Sequence, residues 1–426
     1  MSPSFLNIFL FFGLLASLVS AAPAAIQKRS FKVERVRNAN FKGYDGPGQL
    51  LKAYQKYSMP IPPALLDAIR NKGKPKTETN EAVQTKASGG KDKKKGKGRK
   101  GGKGNNSGNG AGSTLGGNNG TDTVAGNSSV GLVTATPEAG DVEYLSPVEI
   151  GGQTLNLDFD SGSSDLWVFN SQLSAASTQG HTVYDPTQSS NFKMINGASF
   201  SISYGDGSGA AGNVGTDTVV IGGATVTEQA IELATAVSQS FVQDTANNGL
   251  VGLAFSKLNT VQPQQQKTFF DNVMPSLAEP LFTADLRKDA VGAYEFGRID
   301  TSKFTGDMAW IPVNTTQGFW QFGTAGFAVG DGEAQTAASA QAIADTGTTL
   351  ILTSQEVADG YYSQIDGAVN DAQAGGITIP CDADLPDLLL DVDGIYMARV
   401  KGSDINFAQV EGNSELAPTL IVCFID

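Results

Sequence analysis

Histidine is almost missing from this 426-residue chain: His181 is the single one, in a Gln179-Gly180-His181-Thr182 turn with no motif around it. A Ser-His-Asp triad would have to use that residue, and no Gly-x-Ser-x-Gly elbow accompanies it. A His-Glu-x-x-His zinc site is impossible for the same reason. His181 is therefore expected to be an exposed loop residue. Cysteine is nearly as rare: Cys381 and Cys423 can close one disulfide loop or remain two buried thiols. After the N-terminus no apolar stretch approaches the roughly 20 residues that span a bilayer, so no membrane segment is expected. Positive charge is scarce in residues 131–426, which hold 9 Lys and Arg against 36 Asp and Glu. Such a body repels phosphates, which argues against nucleic acid as a partner. It suits a protein that works in acid, where many carboxylates are neutral and self-repulsion falls.

Residues 1–130 have the opposite character, with 21 Lys and Arg against 7 acids, so the chain joins two physically different objects. Phe5 to Val19 is apolar apart from Asn7, Gly13 and Ser17, and small residues follow at Ser20, Ala21 and Ala22. This pattern predicts a signal peptide over 1–21, cleaved after Ala21, and a secreted, extracellular protein. Sequons at Asn105, Asn119, Asn127 and Asn314 fit that route. Lys28-Arg29 resembles a dibasic processing site, and residues 22–71 read as a basic prosegment with helical spacing from Leu50 to Tyr57. Residues 72–130, with a lysine-rich run from Lys91 to Lys100, have almost nothing apolar to bury. They are expected to form a disordered, cleavable Lys/Gly/Asn/Ser-rich linker.

From about Val130 the texture becomes short alternating apolar runs between Gly, Asn and Asp, as in Phe200 to Tyr204 and Asp217 to Gly223. This predicts an all-β body. The best helical candidates within it are Phe269 to Leu277 and Ser354 to Tyr362. The body also contains a near-repeat. Leu155-Asn156-Leu157-Asp158-Phe159-Asp160-Ser161-Gly162-Ser163-Ser164 is matched by Gln341-Ala342-Ile343-Ala344-Asp345-Thr346-Gly347-Thr348-Thr349-Leu350. Each copy is a strand running into Asp, a hydroxyl residue, Gly and two further hydroxyl residues. The glycines, Gly162 and Gly347, permit a tight turn with the Asp at its tip, and the hydroxyls can donate to a carboxylate.

One such tripeptide is weak evidence, because Asp and Gly are common in turns. Two in matching strand contexts are much stronger. Related by a pseudo-twofold axis, the tips would meet and their carboxylates would share one proton. The ionised member could then activate water while the protonated member polarises a scissile carbonyl. Asp158-Phe159-Asp160 is also similar to an aspartyl-phosphate hydrolase loop, which needs Mg²⁺. That reading expects alternating strands and helices, and it leaves the Asp345 copy unexplained.

These residues resemble those of the pepsin-like aspartic proteases, in particular the fungal penicillopepsin/aspergillopepsin-like branch. The resemblance runs from roughly Thr136 to Cys423, with a similar prosegment around Val33 to Pro63. It implies a bilobal, double-barrel endopeptidase with an N-terminal lobe over 131–312 and a C-terminal lobe over 313–426. Asp160 and Asp345 would be the catalytic carboxylates, supported by Ser161, Gly162, Ser163, Thr346, Gly347 and Thr348. Tyr204-Gly205-Asp206-Gly207-Ser208 is similar to the flap hairpin, with Tyr204 hydrogen-bonded by Trp167 and Asp206 placed to accept a basic residue beside the scissile bond. Asn247 to Gly252 is similar to the loop that supports the first aspartate turn, and Cys381 and Cys423 match the family's disulfide cysteines. The implied partners are protein or peptide substrates, pepstatin-type inhibitors and the protein's own prosegment, on a monomer with no metal or organic cofactor. The family pattern continues beyond Cys423 with a second support loop and closing strands, whereas this sequence stops at Asp426. The expectation is of an incomplete C-terminal lobe. It carries an alternative: a non-catalytic, secreted pepsin-like protein unable to set its pair of aspartates.

Overall fold

The computed structural model describes residues 31–33, 47–48, 50–51, 54, 61–71, 134–137, 143–204, 208–288, 290–371, 376–406, 416–418 and 421–424. The expected signal peptide, the linker over 72–130, and Gly205 and Asp206 lie outside these residues.

Alternating side chains account for the strands. From Gly215 to Ile221 every second residue is buried, which is the period of a strand with one face on a core. The first half of the body is built from β1 (Phe31–Val33), β2 (Thr134–Pro137), β3 (Tyr144–Ile150), β4 (Gln153–Asp160), β5 (Leu166–Val168), β6 (Lys193–Ser203), β7 (Gly209–Ile221), β8 (Ala224–Val237), β9 (Gly249–Gly252), β10 (Phe282–Arg287) and β11 (Ala290–Phe296). These form one sheet, ordered β1-β11-β2-β3-β4-β9-β5-β8-β7-β6, with β10 on β11. Because β3 also pairs with β7, the strands β3, β4, β9, β5, β8 and β7 close on themselves as a six-stranded barrel. Closure removes the unpaired edges that an open sheet would present. The expected all-β, pepsin-like architecture is what the chain adopts.

The barrel has one insertion that matters for the site. β9 is wedged between β4 and β5, parallel to the first and antiparallel to the second. Phe159, Leu166, Val251 and Phe296 fill the core on one side, while Trp167, Phe200, Val214 and Leu250 form a second cluster. The Phe296 ring lies 5.8 Å from Phe282, 6.2 Å from Phe269 and 6.5 Å from Phe159.

The second half holds β12 (Gln321–Val329), β13 (Gln335–Ile343), β14 (Ile351–Ser354), β15 (Val369–Asp371), β16 (Gly376–Pro380), β17 (Leu388–Val392), β18 (Tyr396–Val400), β19 (Leu416–Pro418) and β20 (Ile421–Phe424). They pair as β13-β12-β17-β18, β14-β20 and β15-β16-β19. The helix Gln355–Tyr362 starts one residue after the expected Ser354, which is its N-cap, and buries Val357, Ala358, Tyr361 and Tyr362. Phe269–Val273 is helical as expected and tightens into a 3₁₀ turn at Met274–Ser276, where Pro275 cannot donate to a continuing α-helix.

Among the described residues Cys381 is a free thiol, and the side chain of Cys423, its expected partner, lies outside them. One expectation is corrected. His181 is half-buried rather than exposed, stacked 3.9 Å from Phe169 with its ring nitrogens facing the carbonyls of Asn247 and Val242.

Within residues 22–71, Leu50, Leu51 and Tyr54 are helical, as is Pro63–Asn71. Leu50, Tyr54 and Leu65 pack around Leu350, a few residues beyond Asp345. The aromatic cluster yields the first prediction. Phe296→Ala should cost about 3–5 kcal/mol, read as a lower unfolding midpoint in denaturant; a loss under about 1 kcal/mol would show that the core collapses around the gap.

Candidate active site

Asp160 ends β4, and the wedged strand β9 sets the course of the loop beyond it. The Leu253 N–H donates to the Asp160 carbonyl at 2.7 Å, Gly252 N–H to Asp165 O at 2.8 Å and Ala254 N–H to Ser163 O at 2.9 Å. Three successive amides thus hold the 160–165 loop to the barrel, so the carboxylate is presented by backbone rather than by a flexible tip. Asp160 is 1% exposed. Its Oδ1 accepts the Gly162 N–H at 2.8 Å and its Oδ2 accepts the Ser163 hydroxyl at 2.5 Å.

Asp345 follows β13 and repeats the pattern. Oδ1 accepts the Gly347 N–H at 3.0 Å and Oδ2 the Thr348 hydroxyl at 2.5 Å. The loops then interlock. Ser161 N–H donates to Thr346 Oγ1 at 3.0 Å, and Thr346 N–H returns a bond to Ser161 Oγ at 2.9 Å. Each hydroxyl spends its own hydrogen on the strand opposite, Ser161 on Ala344 O at 2.8 Å and Thr346 on Phe159 O at 2.7 Å. A valine or alanine in either place could not both accept and donate.

The glycines show how close the two carboxylates are brought. A Cβ on Gly162 would stand 2.6 Å from Asp345 Oδ1, and one on Gly347 would collide with Asp160 Oδ1. Each carboxylate therefore lies against the bare backbone of the opposite loop. Two matched carboxyls, each taking one amide and one hydroxyl, can share a proton and act on a single small reactant.

A family profile of eukaryotic aspartyl proteases matches residues 143–422. The chain belongs to that family. It is 46% identical over 424 residues to an aspergillopepsin A-like aspartic endopeptidase of Aspergillus fumigatus, covering 98% of this chain and 90% of that protein. It is 52% identical over 287 residues to aspergillopepsin-1 of Aspergillus flavus and 53% identical over 284 residues to penicillopepsin-1 of Penicillium rubens, in each case over 67% of this chain and 70% of the relative.

In this aspartyl protease the expected hairpin forms between β6 and β7, closed by Tyr204 N–H to Ser208 O at 2.8 Å. Trp167 Nε1 donates to the Tyr204 hydroxyl at 2.7 Å. Burial, then the negative charges of Asp165 and Asp160, push the Tyr204 phenol well above its ordinary range, while the bond from Trp167 opposes this. The phenol stays protonated. Asp160, Asp345, Ser161, Gly162, Ser163, Thr346, Gly347 and Thr348 all meet at one place, with Trp167 and Tyr204 joined to each other.

Sequence reasoning passed over the layer behind the loop. Asp165, Glu232, Asn259 and Thr260 form a buried polar cluster, with Asn259 Nδ2 donating to Asp165 at 3.2 Å and Glu232 at 3.0 Å. The signal was a lone acid in the apolar run Ala230-Ile231-Glu232-Leu233-Ala234. The two halves are also tied by Trp320, whose Nε1 donates to Leu253 O at 2.9 Å while its main-chain carbonyl accepts from Ala344. A cavity of about 1060 Å³ lies against Ser161, Ala344 and Thr346, lined by Trp310, Trp320 and Phe282. Asp345 and Thr348 also line it, so it reaches the second aspartate from that residue's own half, whereas Asp160, Gly162, Gly347 and Tyr204 do not line it.

Gly347→Ala should leave the fold intact and lower the hydrolytic rate by about 10²-fold, because the added methyl displaces the Asp160 carboxylate. Circular dichroism alongside peptide hydrolysis checks this; an active variant would place the carboxylates further apart.

Proposed function

We propose that this chain is a secreted acid endopeptidase, made as a zymogen, in which Asp160 and Asp345 carry the reaction. One observation carries the reading: each loop's glycine lies against the other loop's carboxylate, so the two acids address a single reactant. The ionised carboxyl takes a proton from water, whose oxygen bonds to the carbonyl carbon of the scissile peptide. The protonated carboxyl gives its proton to the carbonyl oxygen. In the second step a diol proton returns to the pair, the amide nitrogen takes a proton from it, and the C–N bond breaks. The pair ends with the one proton it began with.

The other residues act through these two. Ser163 and Thr348 stabilise the ionised forms by donating hydroxyl hydrogens, and Ser161 and Thr346 keep the loops in register. Tyr204 would close over a bound peptide from the hairpin, shielding it from water, with Trp167 holding its ring. On this reading Gly205 and Asp206 form the hairpin tip, and Asp206 accepts a basic side chain next to the scissile bond.

Secretion is supported by the apolar run from Phe5 to Val19 and by the exposed sequon residue Asn314, which caps a 3₁₀ turn. The zymogen reading is supported by the packing of Leu50, Tyr54 and Leu65 on Leu350, next to the second aspartate loop. The segment is also basic while the body is acidic, so acid weakens the attraction between them by neutralising carboxylates and frees the segment for self-cleavage.

The test is hydrolysis of casein or haemoglobin by the expressed chain from acid to neutral pH. Acid activity that Asp160→Asn reduces by about 10⁴-fold or more, and that pepstatin stops, is the expected result. A folded, secreted chain with no activity would instead indicate a non-catalytic pepsin-like protein.

A further inference from the structure

Behind the Asp160 loop lies a second pair of acids that the reaction does not use. Asp165 and Glu232 are each 1% exposed. Asp165 Oδ1 is fully engaged, accepting Thr260 N–H at 2.9 Å, Thr260 Oγ1 at 2.8 Å and Asn259 Nδ2 at 3.2 Å. Glu232 Oε1 accepts from the same Asn259 Nδ2 at 3.0 Å, which also donates to Ser164 O at 3.2 Å. The remaining oxygens, Asp165 Oδ2 and Glu232 Oε2, are buried with no hydrogen-bond partner, and the two carboxyls share the Asn259 amide. Two charged carboxylates on one amide would repel each other, and a single proton held by the pair removes that repulsion.

The pair sits where it can act on the hairpin. Glu232 is in register with Trp167 across β8 and β5, and Asp165 precedes Trp167 by two residues. Trp167 in turn donates to Tyr204. The groups that face the pair are few: Asn259 and Thr260 from the loop after β9, and Tyr204 from the hairpin, which also faces Asp160. Among the described residues no cation acts on either carboxyl.

We propose that Asp165 and Glu232 share one proton, and that this proton positions the Trp167–Tyr204 anchor and sets the upper pH limit of the folded, working first half. Losing it would place two charges side by side in a dry interior, where neither can be solvated.

Burial pushes both carboxyls up, Glu232 the further because Asp165 lies against it. A folded-state value raised above the unfolded one means that the folded chain holds the proton longer. The stabilisation is therefore complete below the ordinary carboxylate range of about 4 and is lost as pH rises from there through the folded value of Glu232.

Tryptophan fluorescence of the full chain, followed from acid to mild alkali, reads the event directly. In Glu232→Gln the amide donates to Asp165 permanently, so the midpoint should rise by about one pH unit or more. Activity, scaled to each protein's own acid maximum, should persist to correspondingly higher pH. A midpoint unchanged or lowered in a variant that folds in acid overturns the proposal. Should Glu232→Gln fail to fold, Asp165→Asn offers the same donor from the other side and the same expected rise.

Infrared spectroscopy of the Asp160→Asn chain needs neither variant: a protonated carboxyl stretch should survive at pH values where ordinary carboxyls have ionised. Its absence would also overturn the proposal. The fluorescence and infrared results stand whether or not the chain cleaves peptides, so failure here is distinguishable from failure of the protease reading.

Discussion

Two hydroxyls, Ser161 and Thr346, hold this molecule to its purpose by bonding across the seam between its halves. Each accepts the other's amide and donates to a main-chain carbonyl of the opposite half, so four hydrogen bonds converge within two residues. A single hydrogen bond contributes about 1 kcal/mol net, but geometry matters more here than energy. The four bonds place Asp160 and Asp345 symmetrically, and the bare backbones of Gly162 and Gly347 let them approach. A reaction that needs an acid and a base on one small reactant depends on that approach, and little else in the fold would matter without it.

The support of the two aspartates is unequal. Asp160 is anchored by β9, which fills the gap between β4 and β5 and delivers three amides to the loop. Asp345 follows β13, the edge strand of its sheet, is half-buried, and lies over a large apolar cavity. Its position is secured mainly by the interlock and by Trp320, which reaches from Ala344 to Leu253. The first half therefore acts as the template on which the second is aligned.

Buried acids recur throughout the first half, and each is satisfied differently. Asp217 accepts the Tyr184 hydroxyl, Asp160 accepts a hydroxyl and an amide, and Asp165 and Glu232 each keep one buried oxygen without a hydrogen-bond partner. A low dielectric makes such groups costly when charged and unpaired.

Period-two patterning announced the strands, and Gly, hydroxyl and Asp at matched spacing announced the two loops, because these are local properties of consecutive residues. The helices starting near Phe269 and Ser354 could likewise be seen, while the cap at Thr268 came from the structure. His181 departs from its expected exposure because its neighbours in sequence are polar, whereas its ring is covered by Phe169 from another segment. Local pattern was enough for the family, the all-β class and the pairing of the two Asp-hydroxyl-Gly loops. That Ser161 meets Thr346, that Glu232 lies beside Asp165, and that β9 enters between β4 and β5 followed only from how the chain folds back on itself. Those contacts join residues tens to hundreds of positions apart, where chain closure rather than local pattern determines which groups meet.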